Sequence, residues 1–279
     1  MEIKCWGSRG SIPVSGRMYV AHGGDTTCME IRPKSGHTVI VDAGTGIRRL
    51  GNKAMAEGLR EAHLIFTHVH WDHVVGFPFF KPIYRPDFTL HLYRCPFSKY
   101  IGKMLNGVMK PPFFPVRFSE IPARTHLQPI TCPEPFQIGS LTIVPVHLSH
   151  PNTAYGFKFI EDDKTFVFMT DNELAYHHPR GLSYEEYVDF AQGADLLIHD
   201  GEYTPEEYER YRSYGHTTYE QALDLALDAG VKQVGLFHLN QDRSDREMRR
   251  IVKICRRRIR QQKRRLDCVA VKADMTFSL

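Results

Sequence analysis

Short apolar, β-branched runs alternate along the chain with longer stretches in which apolar positions recur every three or four residues. The short runs predict strands over residues 2–5, 28–32, 38–41, 62–66, 89–93, 141–146, 154–160, 164–169, 195–198, 233–237 and 267–271. The helical period predicts helices over residues 45–57, 183–192, 217–229 and 243–265. Helices interspersed among so many strands imply an α/β (α+β) fold of layered sheets covered by helices. Brief connections make residues 3–41 and 141–169 read as antiparallel. No long linker, low-complexity tract or solenoid repeat interrupts the pattern, so residues 1–279 read as a single domain. The stretch 76–124, rich in proline and aromatics and broken by Lys110-Pro-Pro-Phe-Phe-Pro115, is expected to form an irregular cap.

Composition narrows the class. With 42% hydrophobic and 24% charged residues among 279, the chain can bury a large core, which excludes disorder, collagen and coiled coil. Its apolar runs fall well short of the ~18 residues a membrane span needs. Glu2 and Lys4 break any leader-like stretch at the start, so a cytoplasmic protein with no membrane partner is expected. Cys5, Cys28, Cys95, Cys132, Cys255 and Cys268 form no C-x-x-C pair and read as reduced, mostly buried thiols. The net charge of +4 is uneven: between Arg243 and Arg265 twelve Lys/Arg face Asp245 and Glu247, so that segment carries +10 and the remainder −6. Met248, Ile251, Val252, Cys255 and Ile259 recur there at helical spacing, so one face should pack on the core. The arginines then form a solvated face or subunit contact in preference to a nucleic-acid patch, which stays the alternative.

The densest chemistry is Thr67-His68-Val69-His70-Trp71-Asp72-His73, directly after the apolar run Leu64-Ile65-Phe66. Buried imidazoles and carboxylates need partners, and a metal ion supplies one. In an extended segment His68 and His70 point the same way and can share an ion, while Asp72 and His73 can present ligands to a second.

This motif resembles the metallo-β-lactamase superfamily, whose later ligands find matches in order at His150, Asp171 and His238, each after an apolar run. The resemblance implies a four-layer αββα sandwich and two divalent metal ions. One would be held by His68, His70 and His150, the other by Asp72, His73 and His238, with Asp171 and a water or hydroxide between them. Zinc is the expected metal, with manganese or iron also suited to mixed His/Asp ligands. The implied reaction is hydrolysis by a metal-bridged hydroxide, with Asp72 in the catalytic set.

The C-terminal half is similar to the ribonuclease Z and phosphodiesterase branch. Its marks are Ala194 through Thr204, containing His199-Asp200-Gly201-Glu202, then Gly215-His216-Thr217-Thr218, then the run into His238. There Asp200 could orient His216, which could protonate a leaving oxygen or bind a phosphate oxygen; the bland alternative makes Thr217 a helix cap and His216 its exposed neighbour. Ribonuclease Z enzymes of bacterial type carry a tRNA-binding arm between the matches of His150 and Asp171, where this chain has only a hairpin's length. The expected substrate is therefore a cyclic nucleotide or another small phosphodiester. The alternatives are a ribonuclease Z-like endonuclease, a lactone, thioester or β-lactam hydrolase, and a metal-stabilised RNA-binding module. A homodimer is expected by resemblance alone. Trp71 could narrow the site or offer a stacking face. The turns Gly7-Ser8-Arg9-Gly10-Ser11 and Asp42-Ala43-Gly44-Thr45-Gly46 read mainly as structural, with Asp42 a possible support for the metal loop. His22, His37, His63, His91, His126, His147, His177 and His178 lack motif context.

Overall fold

In the computed structural model, which describes residues 1–93, 101–128 and 130–279, the strands gather into two seven-stranded sheets. The first holds β1 (Glu2–Gly7), β2 (Cys28–Arg32), β3 (Val39–Val41), β4 (Glu61–Ile65), β5 (Thr89–Tyr93), β6 (Arg124–Gln128) and β14 (Thr276–Ser278), in the order β14-β1-β2-β3-β4-β5-β6. The second holds β7 (Phe136–Ile138), β8 (Leu141–Leu148), β9 (Ala154–Glu161), β10 (Lys164–Met169), β11 (Leu196–Asp200), β12 (Gln233–Phe237) and β13 (Asp267–Ala270), in the order β13-β12-β11-β10-β9-β8-β7. β1-β2-β3 and β8-β9-β10 are antiparallel, as the short β2–β3, β8–β9 and β9–β10 connections require; the β1–β2 connection is longer. Both sheets turn parallel beyond, through β3-β4-β5-β6 and β10-β11-β12-β13.

Seven α-helices stand among the described residues: α1 (Ile47–Ala56), α2 (Trp71–Val74), α3 (Ile101–Val108), α4 (Tyr184–Ala191), α5 (Pro205–Tyr211), α6 (Tyr219–Asp228) and α7 (Asp245–Gln261). The inner faces of the sheets meet through Ile31, Val41, Phe157, Phe166, Phe168 and Phe237. On one outer face α1 buries Ile47 and Leu50 against Ile40 and Leu64. On the other, α6 and α7 bury Leu223, Met248, Ile251 and Cys255 near Val167, Leu197 and Val234. The result is the four-layer αββα sandwich.

Local sequence starts the helices cleanly. Ser183, Thr204, Thr218 and Ser244 cap α4, α5, α6 and α7, each paired with Glu or Gln three residues on in a reciprocal box. Thr218, not Thr217, is thus the cap before α6. The pattern did not anticipate β6, β7, β14, α2, α3 and α5. β6 is mostly exposed, β7 and β14 are three residues long and α5 buries no residue fully, so these four carry little apolar contrast.

Cys5, Cys28, Cys255 and Cys268 are buried free thiols. Cys132 is disulfide-bonded, which corrects its reading as a reduced thiol; spacing along a chain does not reveal which cysteines meet in space. Cys95 lies outside the described residues. Among those residues no helix is long and apolar enough to cross a membrane.

Candidate metal centre

Strand ends build the cluster. His68 and His70 follow β4, Asp72 and His73 lie in α2, His150 follows β8, Asp171 follows β10 and His238 follows β12. All enter from the carboxyl ends of strands, where backbone leaves the sheet and side chains from both sheets can converge. Asp171 (φ 52°), His238 (φ 53°) and the nearby Asp42 (φ 64°) all adopt left-handed backbone. Such conformations are costly for residues with a Cβ and collect at functional sites.

Two groups of ligand-type atoms result, each with its atoms within 4.8 Å of one another: His68, His70, His150 and Asp171, then Asp72, His73, Asp171 and His238. Asp171 belongs to both. Its Oδ2 lies 3.4 Å from His68 Nε2 and 3.3 Å from His238 Nε2, and its Oδ1 lies 3.4 Å from His73 Nε2. Asp72 Oδ2 sits 3.0 Å from His238 Nε2 and 3.3 Å from His73 Nε2. His150 Nε2 and His70 Nδ1 are 3.1 Å apart. All seven residues singled out as metal ligands therefore come together.

Bonds behind the imidazoles orient them. His150 Nδ1 donates to the Gly215 carbonyl at 2.9 Å, His73 Nδ1 to Asp42 at 2.7 Å and His238 Nδ1 to Glu202 at 2.8 Å. Carbonyl and carboxylate oxygens accept only, so in a neutral ring each Nε2 keeps its lone pair toward the cluster. Asp42 also accepts from the Thr67 N–H and hydroxyl. The turn read as structural at residues 7–11 reaches the site as well: the Ser11 N–H donates to Asp72 at 2.8 Å, and a Cβ on Gly10 would stand 2.2 Å from His238 Nδ1. Gly215 (φ +94°) is equally constrained, because its Cβ would fall 2.0 Å from His150 Nδ1.

Whether the donor set suits cations is tested by its unpaired atoms. His68 Nε2 and His73 Nε2 are buried without a hydrogen-bond partner, a state that ordinarily costs about 1–3 kcal/mol. Divalent ions would satisfy both nitrogens and the facing carboxylates together. Burial pushes the His68 and His150 imidazoles down, His150 to about 3, and so favours the neutral form that can act as a ligand. Burial acts likewise on His73 and His238, but surrounding carboxylates, Asp72 and Asp171 foremost, outweigh it and hold both rings well above their usual value. Burial also works to raise Asp72 and Asp171, yet the facing imidazoles keep both far below the carboxylate range.

Beside the cluster, His216 Nδ1 donates to Asp200 Oδ2 at 2.8 Å, and its ring stacks on His238 with centroids 4.6 Å apart. Burial works to lower this imidazole, but Glu202 and Asp200 carry it up to about 9, while burial pushes Asp200 itself up. Glu202 was not singled out from sequence. Its signal was the Asp200-Gly201-Glu202 turn, whose two carboxylates back His216 and His238. His199 turns away from the cluster to pair with Asn172, which in turn accepts from the Ser149 N–H. Trp71 is 79% exposed and, with Val69, Val75, Phe79, Phe113 and Phe114, borders an apolar cavity of about 570 Å³. Arg243 is buried and paired with Glu207, so it is not part of an open basic surface.

Sequence and fold comparisons agree with the motif. A ribonuclease Z from Haloarcula marismortui is 21% identical over 287 residues, covering 86% of each chain. The metallo-beta-lactamase fold protein YhfI from Bacillus subtilis superposes with a TM-score of 0.71 at 18% identity, covering 99% of each chain. Unliganded yeast PDE1 superposes with a TM-score of 0.71 at 14% identity, covering 100% of this chain and 99% of that one. The model of the beta-lactamase superfamily domain matches residues 37–239, and the chain belongs to that family.

Proposed function

We propose that this protein is a dinuclear metal-dependent hydrolase that cleaves phosphodiesters, with a cyclic nucleotide or another small phosphodiester as substrate. The observation that carries this reading is the shared position of Asp171 between two ligand groups, next to buried imidazole nitrogens that lack any other partner. His68, His70, His150 and Asp171 would hold one ion and Asp72, His73, His238 and Asp171 the other, zinc being the expected metal. Bound there, the pair would supply Lewis acidity toward a phosphoryl group and an activated water at neutral pH.

The chain's own residues do the rest. Asp42, Glu202 and the Gly215 carbonyl hold His73, His238 and His150 in one tautomer, and Ser11 N–H fixes Asp72. With Nδ1 of His216 engaged by Asp200, Nε2 is the atom left to protonate the leaving oxygen or to bond a non-bridging phosphoryl oxygen. The apolar cavity beside Trp71 suits a flat, weakly polar substituent such as a base. We further take residues 1–279 as one domain, with the segment around 76–124 capping that side of the site.

A second reading, a ribonuclease Z-like endonuclease, is favoured by the name the curated relatives carry. Against it, β9 and β10 form a plain hairpin between His150 and Asp171, leaving no arm to hold a tRNA. The metal-loaded protein should hydrolyse bis(p-nitrophenyl) phosphate and a cyclic nucleotide in preference to pre-tRNA, lactones and β-lactams, and His70→Ala should fold yet lose that activity. Turnover confined to pre-tRNA would favour the second reading, and full activity in His70→Ala would refute the assignment.

A further inference from the structure

Four histidines outside the candidate centre line up across the first sheet. In the parallel register of β4, β5 and β6, His63 pairs with His91 and His91 with His126, while His37 lies two residues before Val39, the β3 neighbour of His63. The His63 and His91 rings stack at 4.6 Å with planes 12° apart, the His91 and His126 rings stack at 5.3 Å, and His37 meets His63 edge-on at 5.3 Å. Glu61, two residues before His63 on β4, shares its face of the sheet. This is the face that carries Ile65 and Tyr93 into the core between the sheets, where apolar side chains are the rule. A ladder of imidazoles at its margin needs another explanation.

The ring nitrogens supply one. His91 Nε2 lies 3.1 Å and His63 Nε2 3.4 Å from the same carboxylate oxygen, Glu61 Oε1. The three residues offer ligand-type atoms within 4.8 Å of one another. His63 is more than nine-tenths buried, and its Nε2 has no hydrogen-bond partner, although its Nδ1 is engaged by the Tyr93 hydroxyl at 2.9 Å. That leaves a buried, unsatisfied donor atom aimed at a carboxylate and a second imidazole. Alongside runs a cleft of about 270 Å³ lined by Ser35, His37, Thr38, Arg60, Glu61 and His63. Arg60, which also lines the cleft, pairs with Asp87, a carboxylate it shares with Arg85.

We propose that Glu61, His63 and His91 form a separate binding site for a divalent transition-metal cation of the zinc type, open to solvent at the fourth position. Two imidazoles and one carboxylate are a donor set such ions favour, and an ion at ordinary bond lengths of about 2.0–2.2 Å is reached when the stacked His63 and His91 rings tilt so that their Nε2 lone pairs converge. Tyr93 accepts from His63 Nδ1–H and fixes that ring with its Nε2 lone pair outward. At His91, Gln128 Nε2 now donates to Nδ1 at 2.8 Å, so Nε2 carries the proton toward Glu61. Cation binding takes the other tautomer of His91: the ring proton moves from Nε2 to Nδ1 by exchange with solvent, with no net release, and Gln128 turns its amide so that the oxygen accepts from Nδ1–H. His126 holds the His91 ring plane from the far side, and His37 borders the open position.

The test compares untagged parent chain with His91→Gln and with Glu61→Gln, whose carboxylate is half exposed, after equilibrium dialysis against zinc. Both variants should hold one zinc equivalent fewer than the parent while keeping its phosphodiester hydrolysis and its far-ultraviolet circular dichroism. Adding zinc should also raise Tm by a smaller margin in the variants. Equal zinc content in all three proteins would overturn the site, as would a parent whose zinc is stripped entirely by substitutions confined to the strand-end cluster.

Discussion

His216 and Glu202 separate chemistry from ligand support at the level of single residues. His216 touches His238 only through ring stacking and is held by Asp200. Replacing it by alanine should lower kcat by about 10²–10⁴-fold while leaving metal content intact; a matching loss of metal would make it a ligand or a support instead. Glu202→Gln keeps the shape behind His238 but removes the charge, so apparent metal affinity should weaken by about 10–100-fold, read by titration with a chromophoric chelator. The candidate ligands were legible because His68, His70, Asp72 and His73 crowd into one motif and the others terminate apolar strands. The supporting shell was less so. Glu202 and Gly10 reach His238 from distant turns, and nothing in the local pattern at Gly10 says that an imidazole lies where its Cβ would be.

Among the elements, α7 carries the clearest dependence on pH. Its first residue, Asp245, accepts from the Ala21 N–H at 2.7 Å and the His22 N–H at 3.1 Å, and from His22 Nδ1 at 2.7 Å. These contacts tie the long β1–β2 connection, which also delivers Ser11 to Asp72, onto the start of the helix. Burial works to raise the Asp245 carboxyl, but those donors outweigh it and hold it below the usual range. A depressed carboxylate adds stability that is present above its unfolded value, near pH 4, and is lost as pH falls through the folded value. Asp245→Asn should therefore cost about 1–3 kcal/mol at pH 7, with the gap to the parent closing below about pH 4 in urea unfolding. A gap that stayed constant with pH would assign the loss to packing. The apolar stripe of α7 was readable from Met248, Ile251, Cys255 and Ile259, whereas β6 was hidden because its residues are half exposed or exposed and present no alternation.

At the scale of the whole molecule, the two sheets are pinned together where their strand ends meet, since His68 and His73 come from one sheet and His150, Asp171 and His238 from the other. Cations held there would brace the sandwich as well as serve catalysis. Exhaustive chelation should abolish hydrolysis and lower Tm by about 5–10 °C, as expected for release of tightly bound ligands from a folded state of this size; an unchanged Tm would place the ions outside the cluster. By itself the sequence determined most of the alternation of strands and helices and the residues to consider as metal ligands, because period and residue type are local properties. Tertiary structure alone decided that Glu202 stands behind His238, that Arg243 is buried and that His63, His91 and Glu61 meet. Those outcomes depend on strand order and register, which bring residues far apart in the chain to within bonding distance and leave no trace in the spacing of either partner.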